Sequence, residues 1–165
     1  MQTPQRKLGK FSHLKPDPFI TRAKYIELEN KLKKLKNSQP YARSEVRRLA
    51  EMGDFSENHA YQMAKGRLRG INQQILDIED HLKRSEIINE GNKTNVVLLG
   101  SVITIEVNGK QKNLQLLGSS ETNPKAGVIS HNSLVGAALL GRKVGEVVKI
   151  KLPVKEVEYK IIKVA

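Results

Sequence analysis

The sequence of 165 residues contains no cysteine and no tryptophan, and aromatic residues make up only 4% of it. Without cysteine the chain has neither disulfides nor thiolate metal ligands, which suits a reducing compartment such as the cytoplasm. No apolar run approaches the roughly 20 residues of a membrane-spanning helix, and residues 1–10 lack the apolar stretch of a secretory signal. We therefore expect a cytoplasmic protein with no membrane partner.

Acidic residues are also in short supply, since 17 Asp and Glu face 29 Lys and Arg and leave a net charge of +12. Such a balance favours a polyanionic partner, DNA or RNA above all. The alternative that stays open is a soluble basic protein that binds nucleic acid only weakly.

Two long runs of mainly apolar residues recur at spacings of three and four, which is the period of a coiled-coil seam. Since neither run can bury its stripe alone, the two should fold back on each other as an antiparallel helical hairpin over residues 20–90. The turn between them, residues 53–58, forms the tip. The predicted seam residues are Tyr25, Leu28, Leu32, Leu35, Gln39, Ala42, Val46 and Leu49 in the first run, and Tyr61, Ala64, Leu68, Ile71, Ile75, Ile78, Leu82 and Ser85 in the second.

Local signals set the ends of the two helices. Residues 1–19 are basic and proline-containing, and we expect them to form a flexible arm. Thr21 is suited to cap a helix that opens at Arg22. Pro40 should kink this helix or cause a short restart, because proline lacks the backbone donor and clashes with the preceding turn. The second helix is predicted over residues 57–87.

The tip carries two carboxylates, Asp54 and Glu57, whose spacing has two interpretations. Asp54 followed three residues later by Glu57 resembles a helix capping box, and Ser56 is an equally good cap. Alternatively the pair binds a metal ion. Two isolated carboxylates hold Mg²⁺ poorly, because that ion keeps its waters and needs further ligands. If the tip acts chemically, it should complete a site that another molecule supplies.

Basic residues flank the tip on both helices and form what we call the basic collar. Because the helices are antiparallel, these residues should meet at the same end of the hairpin, where they suit a phosphate backbone. An ordinary solvated helix flank is the alternative interpretation. The collar consists of Arg43, Arg47, Arg48, Lys65, Arg67 and Arg69.

The last part of the chain, residues 96–165, changes to β-branched residues with a period of two. Strands are predicted at 101–107, 112–117, 147–152 and 157–164, with a tight turn at Asn108-Gly109. Asn132 or Ser133 should cap a short helix over 134–140. The fold class is α+β: a helical hairpin followed by a small antiparallel sheet with one helix. No catalytic constellation is visible, and the four scattered histidines are expected to have surface or capping roles.

The tip sequence Gly53-Asp54-Phe55-Ser56-Glu57-Asn58, with Tyr61, resembles the signature of the bacterial Gre transcript-cleavage factors. The resemblance covers nearly the whole chain beyond the arm, and this many motifs in order are specific. The other matching segments are Ile20-Thr21-Arg22, Leu117-Gly118-Ser119-Ser120-Glu121, Ile129-Ser130-His131-Asn132-Ser133, Leu139-Leu140-Gly141-Arg142-Lys143 and Gly145-Glu146.

The resemblance implies a coiled coil that enters the secondary channel of bacterial RNA polymerase. It also implies a C-terminal domain with the fold of FK506-binding prolyl isomerases, which docks at the channel rim, with Ser133 at the contact. Asp54 and Glu57 would help to hold an Mg²⁺ ion jointly with the polymerase, so that the polymerase active site cuts backtracked RNA near its 3′ end. The factor itself would then bind no cofactor and be no enzyme. Because the hairpin satisfies its own seam, we expect a monomer.

Several residues depart from the family pattern and keep alternatives open. His59 and Ala60 replace a small and an acidic residue beside the tip, which motivates a channel-binding regulator that inhibits without cleavage. Leu134 replaces a common proline. The collar looks closer to the GreB branch, which holds longer extruded RNA. An RNA- or ribosome-binding coiled coil and a prolyl isomerase are the remaining alternatives, and the scarcity of aromatic residues argues against the isomerase.

Overall fold

The computed structural model describes residues 16–52, 59–89, 91, 94–151 and 156–165. Two long helices dominate its first half, α1 (Arg22–Glu51) and α2 (His59–Arg84). The side chain of Thr21 accepts a hydrogen bond from the Lys24 backbone N–H at 3.1 Å, which confirms the predicted N-cap. The arm residues 1–15 lie outside the described residues.

The two helices pack against each other in antiparallel fashion. Three side-chain contacts show this, because the residue numbers rise along α1 while they fall along α2. These contacts join Lys36 to Glu79, Gln39 to Asn72, and Glu45 to Arg67. The side chains buried between them belong to the predicted seam, apart from His81, so the coiled-coil pattern is confirmed. These buried residues are Leu28, Ala42 and Leu49 on α1, and Ala64, Ile75, Ile78 and His81 on α2.

Pro40 does not interrupt α1, which continues from Arg22 to Glu51 with no separate restart. The expectation of a restart at this point was wrong. Because the seam keeps its register on both sides, Gln39 and Ala42 face α2 across the proline, and packing holds the helix together where the backbone hydrogen bond is missing. Propensity alone underestimates this contribution of tertiary contacts.

The second half forms a five-stranded sheet. Its strands are β3 (Val102–Val107), β4 (Lys110–Leu117), β5 (Val128–Ser130), β6 (Val147–Lys151) and β7 (Glu156–Val164), and the labels β1 and β2 belong to two short strands described below. The five strands lie side by side in the order β5-β4-β3-β7-β6. All pairings are antiparallel except that of β4 with β5, which is parallel. The sequence pattern predicts no strand at β5, because three residues are too few to show an alternating period.

The sheet buries one face against a short helix, α3 (Leu134–Leu139). Its core contains Ile103, Ile105, Leu116, Leu139 and Ile161, each no more than 1% exposed. The turn between β3 and β4 uses Asn108 and Gly109, both with positive φ, as the Asn-Gly pair predicts. The α+β fold class is therefore confirmed, with a mixed rather than purely antiparallel sheet.

A short parallel pair of strands links the helical hairpin to the sheet domain. Strand β1 (Phe19–Ile20) precedes α1 and pairs with β2 (Glu86–Ile87), which follows α2. Ile20 is completely buried there. Gly118 approaches the carbonyl oxygen of Phe19 so closely that a Cβ at this position would clash with the backbone. Glycine is therefore required at Gly118 by the close approach of the two modules.

Two carboxylates, one from each module, tie the junction together. Asp17 of the N-terminal segment accepts hydrogen bonds from the backbone N–H and the hydroxyl of Ser119 at 2.9 and 3.0 Å, and lies 2.8 Å from Nε2 of His131. In return, Glu121 of the sheet domain accepts from the N–H and the hydroxyl of Thr21 at 2.7 and 2.6 Å. Each module thus binds an acid of the other beside the start of α1.

The histidines at this junction correct the expectation of surface or capping roles. His131 is partly buried, contacts Asp17 and packs edge-on against Phe19, with ring centroids 5.6 Å apart. His81 is 7% exposed, and its Nε2 lies 3.2 Å from the Asp17 carbonyl oxygen. Spacing along the sequence could not reveal this, because the partners are separated by 64 and 114 positions.

The pKa of the Asp17 carboxyl lies below its ordinary value of 3.8. Burial raises this pKa, but hydrogen bonds from the Ser119 and Phe19 N–H groups, from His131 and from the Ser119 hydroxyl together lower it by more. Because the folded state prefers the ionised form, the carboxylate stabilises the fold fully above pH 3.8, and this contribution is lost as the pH falls through the lowered pKa.

We expect Asp17→Asn to lower the free energy of unfolding by about 1–3 kcal/mol near neutral pH, since the donors on Ser119, Phe19 and His131 lose their ionised acceptor. The difference from the wild type should shrink as the pH falls from about 5 to 2, and urea unfolding of both proteins over this range measures it. Glu29→Gln, at an exposed position of α1, is the control. Equal stability of Asp17→Asn and Glu29→Gln at neutral pH would contradict the prediction.

Candidate nucleic-acid interface

The tip of the hairpin is bracketed by the described ends of both helices. Helix α1 ends at Glu51 with Met52 as its C-cap, and α2 begins at His59. Asp54 and Glu57 lie outside the described residues, so their suggested role as metal ligands stays a prediction. With 30 residues, α1 is about 45 Å long, which separates this end of the hairpin from the sheet domain.

The cross-helix contacts also set the level of each collar residue along the hairpin. Glu45 meets Arg67 with its Oε2 3.5 Å from the guanidinium, and Gln39 meets Asn72 at 2.7 Å. Between these two levels, Arg43 lies at the same height along the hairpin as Arg69. Beyond Glu45, Arg47 lies at the same height as Lys65. The antiparallel pairing therefore brings the six collar residues to one end of the hairpin, as the sequence predicts.

The collar is divided between two sides of the hairpin. Arg43 and Arg47 continue the row that starts at Lys36 and Gln39 on α1, since their spacings are three and four. Lys65 and Arg69 extend the matching row of Asn72 and Glu79 on α2. Because Lys36–Glu79 and Gln39–Asn72 bridge the helices on this side, it carries four of the six collar residues. We call these four, Arg43, Arg47, Lys65 and Arg69, the collar face.

The opposite side is less available to a polyanion. Arg67 pairs there with Glu45, and Arg48 points a guanidinium nitrogen to within 3.7 Å of the Met52 Sδ. Nothing in the sequence distinguishes the six collar residues from one another. The availability of each collar residue depends on whether an acidic residue such as Glu45 lies on its side of the coiled coil. The pairing of the two helices determines which residues share a side.

Within the collar face, two side chains have local partners and two do not. Arg47 pairs with Glu51 at 3.1 Å, and the Lys65 ammonium lies 5.9 Å from the ring centroid of Tyr61. Arg43 and Arg69 are exposed, and neither lies within ion-pair distance of a carboxylate among the described residues. These two arginines are the side chains most available for phosphate.

The described residues offer no resident metal site, because they contain no group of three or more His, Asp or Glu side chains that could hold an ion. Nor is any helix in the described part of the chain long and apolar enough to cross a membrane.

On the sheet domain, Ser133 serves as the N-cap of α3. Its hydroxyl accepts from the Gly136 N–H at 3.0 Å and donates to the Ser130 carbonyl at 2.7 Å. The next residue, Leu134, is 56% exposed and stands on the first turn of α3. Ser133 thus fixes the turn that presents an apolar side chain to solvent.

A depression of about 550 Å³ lies over the other face of the sheet. No aromatic residue stands among its described lining residues, which include Glu106, Lys149, Glu156 and Lys160. This lining argues against an apolar peptide pocket of the kind that prolyl isomerisation would need.

Comparison with known proteins matches both halves of the chain to one family. Residues 18–87 match the family model described as "Transcription elongation factor, N-terminal". Residues 92–165 match "Transcription elongation factor, GreA/GreB, C-term".

The relatives include transcription elongation factor GreA from Thermosipho melanesiensis, which is 35% identical over 147 residues, covering 87% of this chain and 94% of the relative. GreA from Thermomicrobium roseum is 39% identical over 122 residues, covering 72% and 78%. Among solved structures, GreA factor homolog 1 (Gfh1) of Thermus thermophilus is 29% identical, with 88% of this chain and 97% of that chain covered and a TM-score of 0.41. Because the two family models cover nearly all residues from 18 to 165, the chain belongs to the GreA/GreB family of transcription elongation factors.

Proposed function

We propose that this protein enters the secondary channel of bacterial RNA polymerase with its helical hairpin and stimulates cleavage of backtracked RNA by the polymerase active site. The observation that carries the proposal is the distance between the two ends of the hairpin. A hairpin about 45 Å long bears the acidic tip sequence and a basic collar at one end, and a sheet domain at the other. This arrangement suits a protein that docks outside a channel and acts inside it.

The tip carboxylates supply oxygen ligands, which Mg²⁺ prefers in proteins. Asp54 and Glu57 would bind the ion jointly with the polymerase, and ligation requires both side chains to be ionised. The ion would stabilise the attacking and leaving oxygens of phosphodiester hydrolysis. The part of this chain is to bring two negative charges to that place and to orient the attacking water, so the chain donates ligands without being an enzyme itself.

The collar face would hold the extruded 3′ segment of the RNA. Arg43 and Arg69 lie at the same height on the two helices, and neither has an ion pair among the described residues. They can therefore bind successive phosphates of the RNA strand as it passes toward the tip. Arg67 contributes less, because binding a phosphate would require it to leave Glu45.

Docking on the polymerase is assigned to the first turn of α3. Ser133 uses its hydroxyl within the fold, so it acts as a positioning residue, and the exposed Leu134 makes the contact.

The cleavage proposal predicts that wild-type protein releases short 3′ fragments from a stalled, backtracked elongation complex with 3′-end-labelled RNA and Mg²⁺. Asp54→Asn/Glu57→Gln should abolish this release and still bind polymerase, because the collar and the docking surface are intact. Glu51→Gln, which removes a charge at the end of α1, is the matched control and should cleave.

Binding of wild-type protein to polymerase without fragment release would overturn cleavage and favour a regulator that occupies the channel. His59 and Ala60, both exposed at the start of α2, would then be the residues to restore to the family pattern.

If fragments are released, their length tests the likeness to the GreB branch.

The collar proposal predicts unequal effects of two double variants that remove the same charge. Arg43→Ala/Arg69→Ala should lower the slope of log affinity against log salt for single-stranded RNA by about 1.4, the value for two phosphate contacts. Arg48→Ala/Arg67→Ala should change this slope less. Salt titrations of a fluorescent RNA oligonucleotide measure both, and equal losses would show that only net charge matters.

The docking proposal predicts that Ser133→Ala weakens polymerase binding and lowers stability by about 1 kcal/mol, because the cap is lost. Ser133→Asn, which can still cap, should restore both. Leu134→Asp should weaken binding without a loss of stability, since this side chain is exposed. Unchanged affinity of Leu134→Asp in a direct polymerase titration would exclude α3 as the contact.

A further inference from the structure

The middle of the hairpin combines three features that each weaken a helix. Pro40 lies inside α1 and cannot donate a hydrogen bond to the carbonyl of Lys36. On α2, Gly66 and Gly70 lie inside the helix, where glycine is less favourable than alanine. A Cβ at either glycine would meet nothing within 4 Å, so close packing does not require them.

These residues lie at nearly the same level. The contact between Gln39 and Asn72 brings Pro40 opposite the turn that follows Gly70, and the contact between Glu45 and Arg67 brings Gly66 opposite the next turn of α1. The weak points of the two helices therefore lie within about two turns of each other along the hairpin, and Pro40 and Gly66 lie on its exposed surface.

The seam is also less deeply buried at this level. Val46 on α1 and both Leu68 and Ile71 on α2 are half-buried, and the buried residue of α1 at this level, Ala42, is small. Gln39 occupies a seam position and bonds to Asn72, so a polar contact replaces an apolar one. By contrast, the base of the hairpin has an apolar cluster around Ile20, Leu28 and Ile78.

We propose that the hairpin bends at a hinge formed by Pro40, Gly66 and Gly70. Residues 41–52 and 59–69, which carry the collar, then swing relative to the base and the sheet domain. Few buried apolar contacts and weak backbone hydrogen bonding are the properties of segments that open locally. The hinge is a property of the free protein, and its test does not depend on the proposed function.

The absence of cysteine allows paired spin labels to be introduced without background. One pair joins Lys112→Cys on the sheet domain to Met52→Cys beyond the hinge, and the control pair joins Lys112→Cys to Asn30→Cys below it. All three positions are exposed. The hinge predicts a broader distance distribution for the first pair, and Pro40→Ala/Gly66→Ala/Gly70→Ala should narrow it while leaving the control pair unchanged.

Amide hydrogen exchange gives a second measurement on the unlabelled protein. The triple variant should slow exchange of residues 41–46 and 66–72 by about fivefold per replaced glycine. Exchange of residues 24–35 and 76–82 should stay as in the wild type. The three substitutions favour helix, so loss of folding is not expected to obscure the result.

Two outcomes would overturn the hinge. In the first, the distal pair keeps its width in the triple variant, or is no broader than the control pair in the wild type. In the second, both pairs narrow alike, because the motion would then lie below Asn30 at the junction between the modules.

Discussion

The antiparallel packing of α1 on α2 is the interaction on which the rest of the molecule depends. An isolated helix of this kind is marginal in water, and the apolar stripe of each helix is buried mainly against the other, with Ile20 adding to the cluster at the base. The same packing brings the end of α1 at Glu51 and the start of α2 at His59 to the far end of the hairpin. It also brings Arg43 opposite Arg69, although 26 positions separate them in the sequence. Both the reach of the tip and the arrangement of the collar therefore follow from one seam.

The seam is strongest at its base, where the two modules meet. There Ile20 is fully buried, β1 pairs with β2, and Asp17 and Glu121 each bind hydrogen-bond donors of the opposite module. Glu121 also places a negative charge at the N-terminus of α1, where the helix dipole favours it. Because these contacts begin immediately before α1, the orientation of the stalk is set by the residues that start its first helix. Farther along, the seam contains the polar Gln39 and the small Ala42, which offer less apolar surface than the leucines of the base.

The distribution of charge differs between the two sides of the hairpin. The excess of basic residues attracts polyanions to the protein as a whole, but ion pairs within the hairpin decide which arginines are free. Glu45 pairs with Arg67 on one side, whereas Arg43 and Arg69 on the other side have no carboxylate partner among the described residues. The proposed function requires such a surface, since two acidic side chains alone would be repelled by RNA. The collar face places positive charge behind the tip, where an RNA strand would pass.

The sequence by itself determined the helical hairpin, the N-cap at Thr21, the Asn108-Gly109 turn and the family, because periodicity, capping and motifs are local properties. It could not predict the continuity of α1 through Pro40, since packing against α2 compensates for the lost backbone bond. It missed β5, whose three residues form a strand only beside β4. The network of Asp17, His81 and His131, and the two sides of the collar, were decided by tertiary structure alone. In each case the partners are distant in sequence, and only the folded arrangement brings their charges and hydrogen-bonding groups together.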